Sequence, residues 1–264
     1  MFKLGIVLLN LALLAACASS PPVPQDALSE LAPTGKLRAG IFVGNLAGRD
    51  PISGEARGVA VDLARDLGRR IGVPVEFVIY DRSGQLADAV KSGAWDIGFL
   101  TADPARSLIN FTPAYVEIEA TYLVPKDSQL RSIADIDREG VRVAVSAKTG
   151  YDLFLSRHLQ RAKLIRVQGT TTDAFKAFVA DRMEAVAGLR PALVRLSEKL
   201  PGSRVIDGRF TVTQHAIGIP RGRKAGATYL RAFVEEAKAS GFVSRAIEKH
   251  GVRDASVAPN APAQ

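Results

Sequence analysis

Apolar strand-forming runs and amphipathic helical stretches alternate along this chain in two separate series, and few folds accept that order. In the first series, KLRAGIFV (36–43) is apolar and β-prone and leads into Gly and Asn. Val59, Leu63, Leu67 and Ile71 then recur at every fourth residue, with Asp62, Arg65, Asp66 and Arg69 between them, until Gly72 and Pro74. That spacing lines one face of a helix with apolar side chains and stops it at Gly and Pro. VEFVIY (75–80) reads as the next strand, 85–93 as a short helix and WDIGFL (95–100) as a third, buried strand. The order returns with VRVAV (141–145), a helix over 151–160, KLIRV (163–167), a helix over 172–182, EAVAG (184–188) and a helix over 191–200. Short apolar strands separated by helices form parallel-type sheets flanked by helices.

Between the two series runs TYLVPKDS (121–128), and after the second comes HAIGIP (215–220), both extended. Helices near 225–239 and 241–250 close the chain. The expectation is an α/β protein of two lobes joined by two extended crossovers, with the last helices returning to the first lobe. Lobe 1 then takes 34–122 and 218–254, and lobe 2 takes 123–217. Hydrophobic residues make up 47% of the sequence, enough to give each lobe a core.

Residues 1–16, MFKLGIVLLNLALLAA, carry one early charge, Lys3, and then an apolar run. That run is shorter than the ~20 residues a bilayer requires and reads as a secretory signal peptide. Leu14-Ala15-Ala16-Cys17 resembles the bacterial lipobox, in which the cysteine is lipidated and the leader cut before it. Cys17 is the only cysteine of the chain. Ordinary cleavage after Ala16-Cys17-Ala18 is the alternative. Residues 17–33, small, polar and proline-rich, read as a lipidated tether, and 255–264 as a disordered tail. Formal net charge is +8, but the basic residues are scattered and aromatics are only 6%. With export, this argues against a nucleic-acid partner. Arg221, Arg223 and Lys224 read as a solvated turn and helix start.

From GKLRAG through TADPARSLINFTPAYVEIEATYLV and VRVAVSAKTGYDLF, over roughly 34–252, the sequence resembles the family 3 solute-binding proteins of ABC importers. The resemblance implies the two-lobed periplasmic-binding-protein (Venus flytrap) fold and a periplasmic location. It also implies a small-molecule ligand and an ABC permease of the inner membrane as partner. With the leader, this describes a monomer held to the membrane by its lipid alone, with no cofactor.

Arg106 follows a buried strand, where the carboxyl end of a parallel strand opens on a crevice. A guanidinium there forks onto a carboxylate, unless Asp103 or Glu117 pairs with it. In the family a Thr-x-Thr-x-x-Arg motif holds the ligand's α-carboxylate; Thr101 and Arg106 match it, and Asp103 stands at the second Thr. Ser146, Thr149 and Gly150 precede a helix whose first N–H groups favour anions. By resemblance Thr149 and Gly150 close on the same carboxylate, while N-capping by Thr149 is the local alternative. The sequence departs from the family twice. Leu189 occupies the position of an Asp that holds the ligand's amine, and Arg82 that of an aromatic residue. Both changes favour an acidic ligand or one without an ammonium group, unless Asp50, Asp103 or Glu119 supplies the acid. His158, His215 and His250 lack metal-ligand spacing and read as surface or packing residues; no metal site is expected. The chain is thus read as a solute-binding component taking a small carboxylate, and not as an enzyme. The alternative is a cyclohexadienyl-dehydratase-like enzyme on the same fold, with Glu184, Glu117 or His215 as its acid.

Overall fold

The computed structural model describes residues 22–262. The elements run α1 (Gln25–Leu31), β1 (Leu37–Phe42), β2 (Gly48–Arg49), β3 (Ala56–Arg57), α2 (Val59–Ile71), β4 (Val75–Tyr80), α3 (Ser83–Asp88), β5 (Ile97–Thr101), β6 (Ile109–Phe111) and β7 (Val116–Val124). They continue with β8 (Arg142–Ser146), α4 (Gly150–His158), β9 (Lys163–Val167), α5 (Thr171–Ala180), β10 (Ala185–Leu189), α6 (Arg190–Ser197), β11 (Arg204–Val205), β12 (Thr211–Pro220), α7 (Lys224–Ala239), α8 (Phe242–Lys249) and β13 (Ala255–Val257). The anticipated α/β order is present. α2 ends at Gly72, whose φ of 73° is left-handed and closes the helix at little steric cost. Among the described residues no helix is long and apolar enough to cross a membrane.

The main strands follow one another in the order β4-β1-β5-β12-β7-β10-β8-β9. β1 pairs in parallel with β4 and β5, and β8 in parallel with β9 and β10. β7 and β12 are antiparallel to each other, from Thr211 opposite Ala120 to His215 opposite Val116. β12 continues along β5 and β6, and β7 continues along β10. These long strands therefore serve both halves, starting earlier than the extended runs read from sequence. Each half buries its own apolar side chains. Leu37, Ile41, Leu63, Leu67, Leu230 and Phe233 form the first core, with Trp95 and Leu86 on the other side of that sheet. In the second half alternation sends Val143 and Val145 into one cluster and Ala144 into another, beside Phe175, Phe178 and Leu193. The result is the two-lobed α/β architecture that the order of elements predicts.

The chain ends differ from expectation. The leader and Cys17 lie outside the described residues. The stretch read as a tether includes α1, which docks on α7 with Ala27 and Leu31 buried. Four-residue spacing puts those two side chains on one face, and Glu30 reaches the first turn of α7, accepting from Gly226 N at 2.7 Å. A carboxylate there complements the helix dipole. Arg223, read as solvated, is half-buried and binds the Glu30 carbonyl and Asp96. The stretch read as a disordered tail pairs instead as β13 with β7. Beyond it, the buried Lys238 ammonium donates to the Pro259 carbonyl at 2.8 Å. A short polar or proline-rich sequence hides such docking because a few buried contacts and main-chain bonds suffice to hold it.

Candidate functional site

Between the lobes lies a cavity of about 290 Å³, near the small end of the ~300–1,000 Å³ range of ligand pockets. Lobe 1 supplies the loop after β1 (Phe42 to Leu46), the start of α3 (Asp81 to Ser83) and Thr101 at the end of β5. Lobe 2 supplies the starts of α4, α5 and α6, and β12 contributes Thr213 and His215 from the floor of the cleft. Parallel strands feeding helices put those helix starts at the strands' carboxyl ends, which is why they meet here.

The helix starts leave first-turn N–H groups free on the cavity side. Thr149 caps α4 by accepting from Asp152 N, and Thr170 caps α5, with the Asp173 carboxylate returning to Thr170 N at 2.9 Å. Both caps use the third N–H of their helix. Among the described residues nothing accepts from the N–H groups of Gly150, Tyr151, Thr171 or Thr172. These groups carry the positive end of the dipole. Arg82 lines the same cavity, half-buried, and its guanidinium has no protein partner among the described residues. Arg195 lines it from α6 and donates to Asn45 Oδ1 across the cleft at 3.1 Å.

Of the residues singled out in the sequence, Thr101, Ser146, Thr149, Gly150 and Arg82 come together around the cavity. Arg106 does not line it. Buried beside it, Arg106 donates to the Thr101 carbonyl at 2.8 Å and to the Lys148 carbonyl at 3.2 Å, so it bridges the lobes. Burial lowers its pKa to about 10, and the nearby carboxylates of Asp103 and Asp88 work the other way; it remains a cation at neutral pH. Asp103 is engaged by Arg157 of the other lobe at 2.8 Å. Lys148 pairs with Asp88 at 2.6 Å. The cleft is therefore closed. Gly150 makes the tightest glycine approach across the cleft: a Cβ built on it falls 2.8 Å from Thr101 Cβ and closer still to the threonine methyl.

The acids considered as substitutes at Leu189 lie elsewhere. Asp50 accepts from Ile52 N and Ser53 N in a turn, and these bonds hold its carboxyl below the usual range. Glu119 sits between Arg209 and Arg190, whose hydrogen bonds lower its pKa. Leu189 does line the cavity, and Asp81 is the lining's one carboxylate. Glu184 is held by Arg142, and Glu117 accepts from Gln214; neither lines the cavity. His215, read as a surface or packing residue, is a buried part of the cavity wall. Burial and the Arg106 charge lower its pKa to about 4, leaving it neutral and unable to donate an acidic proton near pH 7. Sequence reading also passed over the Thr170–Thr172 run and Arg195. The Thr170-to-Asp173 capping-box spacing was the available signal for the former; Arg195, one of many scattered arginines, carried none.

The family model of the bacterial extracellular solute-binding proteins, family 3, matches residues 50–253. No curated protein matches the chain. Among solved structures, an ancestral amino acid-binding protein described as a precursor of cyclohexadienyl dehydratase is 25% identical, with a TM-score of 0.69 over 84% of this chain and 97% of that one. The solute receptor for L-cysteine of Neisseria gonorrhoeae is 22% identical, TM-score 0.72, over 86% and 94% of the two chains. The cysteine-binding protein of Campylobacter jejuni is 20% identical, TM-score 0.71, over 88% and 99%. The last two likenesses speak to the fold.

Proposed function

We infer that this chain, which belongs to the bacterial extracellular solute-binding proteins of family 3, captures a small carboxylate between its lobes and presents it to an ABC permease. Proteins of this family bind small solutes outside the cytoplasm and work with such permeases. The observation that carries the ligand class is a single cavity lined both by Arg82, whose guanidinium is unpartnered among the described residues, and by two helix starts with free N–H groups. A cation and two dipole ends leave the cleft short of negative charge, and an anion supplies it. The ligand is an acidic or polar amino acid or a related organic acid. Thr101, Ser146, Thr149, Gly150 and Arg82 meet it directly. Arg106 acts behind them, keeping its charge close and tying the Thr101 and Lys148 carbonyls. The leader and Leu14-Ala15-Ala16-Cys17 support export with lipidation at Cys17, which would hold the protein, acting as a monomer, at the periplasmic face of a membrane.

Binding without turnover is the expected chemistry. Amino-acid binding by the ancestral relative agrees with it, and the acids a dehydratase requires stand outside the cavity or remain unprotonated. Thermal-shift screening against amino acids, dicarboxylates and aromatic acids tests the reading, because a ligand that binds only the folded state raises its melting temperature. Stabilisation by an acid and none by its uncharged amide is the expected result. Stabilisation by neutral or cationic solutes alone removes the anion reading.

A further inference from the structure

We propose that His215 determines specificity, its Nδ1 accepting a hydrogen bond from a neutral donor, a hydroxyl or amide N–H, carried by the bound anion. The proposal rests on the carboxylate reading and adds the second group of the ligand. The Thr213 hydroxyl donates to the Ile118 carbonyl at 2.9 Å, so its oxygen is left to accept from His215 Nε2, 3.3 Å away. That arrangement puts the imidazole proton on Nε2 and leaves the Nδ1 lone pair free. No protein group among the described residues donates to Nδ1, and none of their fully buried side-chain polar atoms lacks a partner. The lone pair is therefore open to the cavity that His215 lines.

The surroundings select the donor's charge. Thr101, opposite His215 across β5 and β12, and Thr213 are neutral. Arg106 is near enough for its charge to disfavour a proton on the imidazole. Asp103 is engaged by Arg157, and Asp81 stands exposed beside Arg82. An ammonium brought to His215 meets the Arg106 charge, while the lining's one carboxylate, Asp81, is exposed rather than buried beside it, and burying the ammonium that way is costly. A hydroxyl or amide N–H makes the same hydrogen bond without that cost. This gives Leu189 a reason: the cleft reads an uncharged donor from its floor and has no use for an ammonium-binding acid at that position.

Calorimetry with two matched triads tests the proposal: succinate, malate and aspartate, then glutarate, 2-hydroxyglutarate and glutamate. The hydroxy acid is expected to bind about five- to tenfold more tightly than the unsubstituted acid, the worth of one such hydrogen bond. His215→Leu and His215→Phe remove that margin and leave the unsubstituted acid within about threefold. Equal losses across a triad mean a structural role and overturn the proposal while the carboxylate reading stands. So does an amino acid that outbinds its hydroxy counterpart through His215. Binding of none of the six acids overturns both. Imidazole ¹⁵N spectra of the wild type, with and without malate, remain decisive if the variants misfold. A proton on Nε2, and an Nδ1 resonance that moves on binding, are expected; a proton on Nδ1, or an unmoved resonance, overturns the proposal.

Discussion

Replacing Gly150 with alanine separates closure of the cleft from folding. Gly150 opens α4 with ordinary helical backbone, and alanine is at least as favourable there, so the lobe itself loses nothing. The cost arises only when the lobes meet. The new methyl falls 2.8 Å from Thr101 Cβ, well inside van der Waals contact, and Thr101, at the end of β5, is buried and paired with His215 of β12, so it cannot swing clear. Overpacking of this kind costs about 1–3 kcal/mol. Since it falls on the closed state alone, it weakens binding by about 5- to 150-fold. The assay is calorimetric titration with the tightest carboxylate of the panel, alongside the melting temperature of free protein. Unchanged melting and weaker binding are expected, with partial recovery when Thr101→Ser removes the methyl nearest the new group. Unchanged affinity refutes the reasoning, because the lobes then do not close on this contact. A large fall in free-protein melting refutes it differently, by placing the contact in the unliganded state.

Arg82→Ala is expected to cost about 2 kcal/mol or more of binding, over tenfold; unchanged affinity would assign Arg82 to solvent. His215 takes up a proton near pH 6.5 when unfolded and near pH 4 when folded, so the unfolded state binds more protons between these values and stability falls as pH drops through that window. The full difference is about 3 kcal/mol, and His215→Leu should flatten that part of the melting-temperature profile; a parallel profile refutes it. Leu31→Ala is expected to destabilise by about 2–5 kcal/mol through the cavity it leaves against α7, whereas a tether residue would change nothing. Cys17→Ser is expected to move the protein from the membrane to the soluble periplasmic fraction; identical fractionation of both forms means simple leader cleavage.

The alternating strands and helices were legible because their periods are set by burial, and burial dominated both cores. Val59, Leu63, Leu67 and Ile71 announced α2 on their own. The ends misled because α1 and β13 are held by contacts specified elsewhere: Glu30 means little without Gly226, and 255–257 mean little without β7. The site divided along the same line. Thr149 and Gly150 were readable from a local pattern at a helix start. The sequence offers Arg106 as a carboxylate anchor, but in the fold its partners are main-chain carbonyls, one of them from the other lobe, and no sequence pattern records those. His215 escaped because its role depends on Thr213, Ile118 and Arg106 together, and a lone histidine in an apolar strand resembles a packing residue.

The first and last described elements are both stitched into one lobe, α1 on α7 and β13 on β7. The other lobe enters and leaves through a single antiparallel pair, with Ala120 opposite Thr211. It is thus a cassette, inserted into a frame that holds the first and the last of the described elements. Exchanging residues 121–210 for those of a relative moves Thr149, Gly150, the Thr170–Thr172 run and Arg195 as a set, and leaves Arg82, Arg106 and His215 in place. Such a chimera turns ligand preference into two inheritable halves. Whichever parent's preference it follows identifies the half that does the choosing.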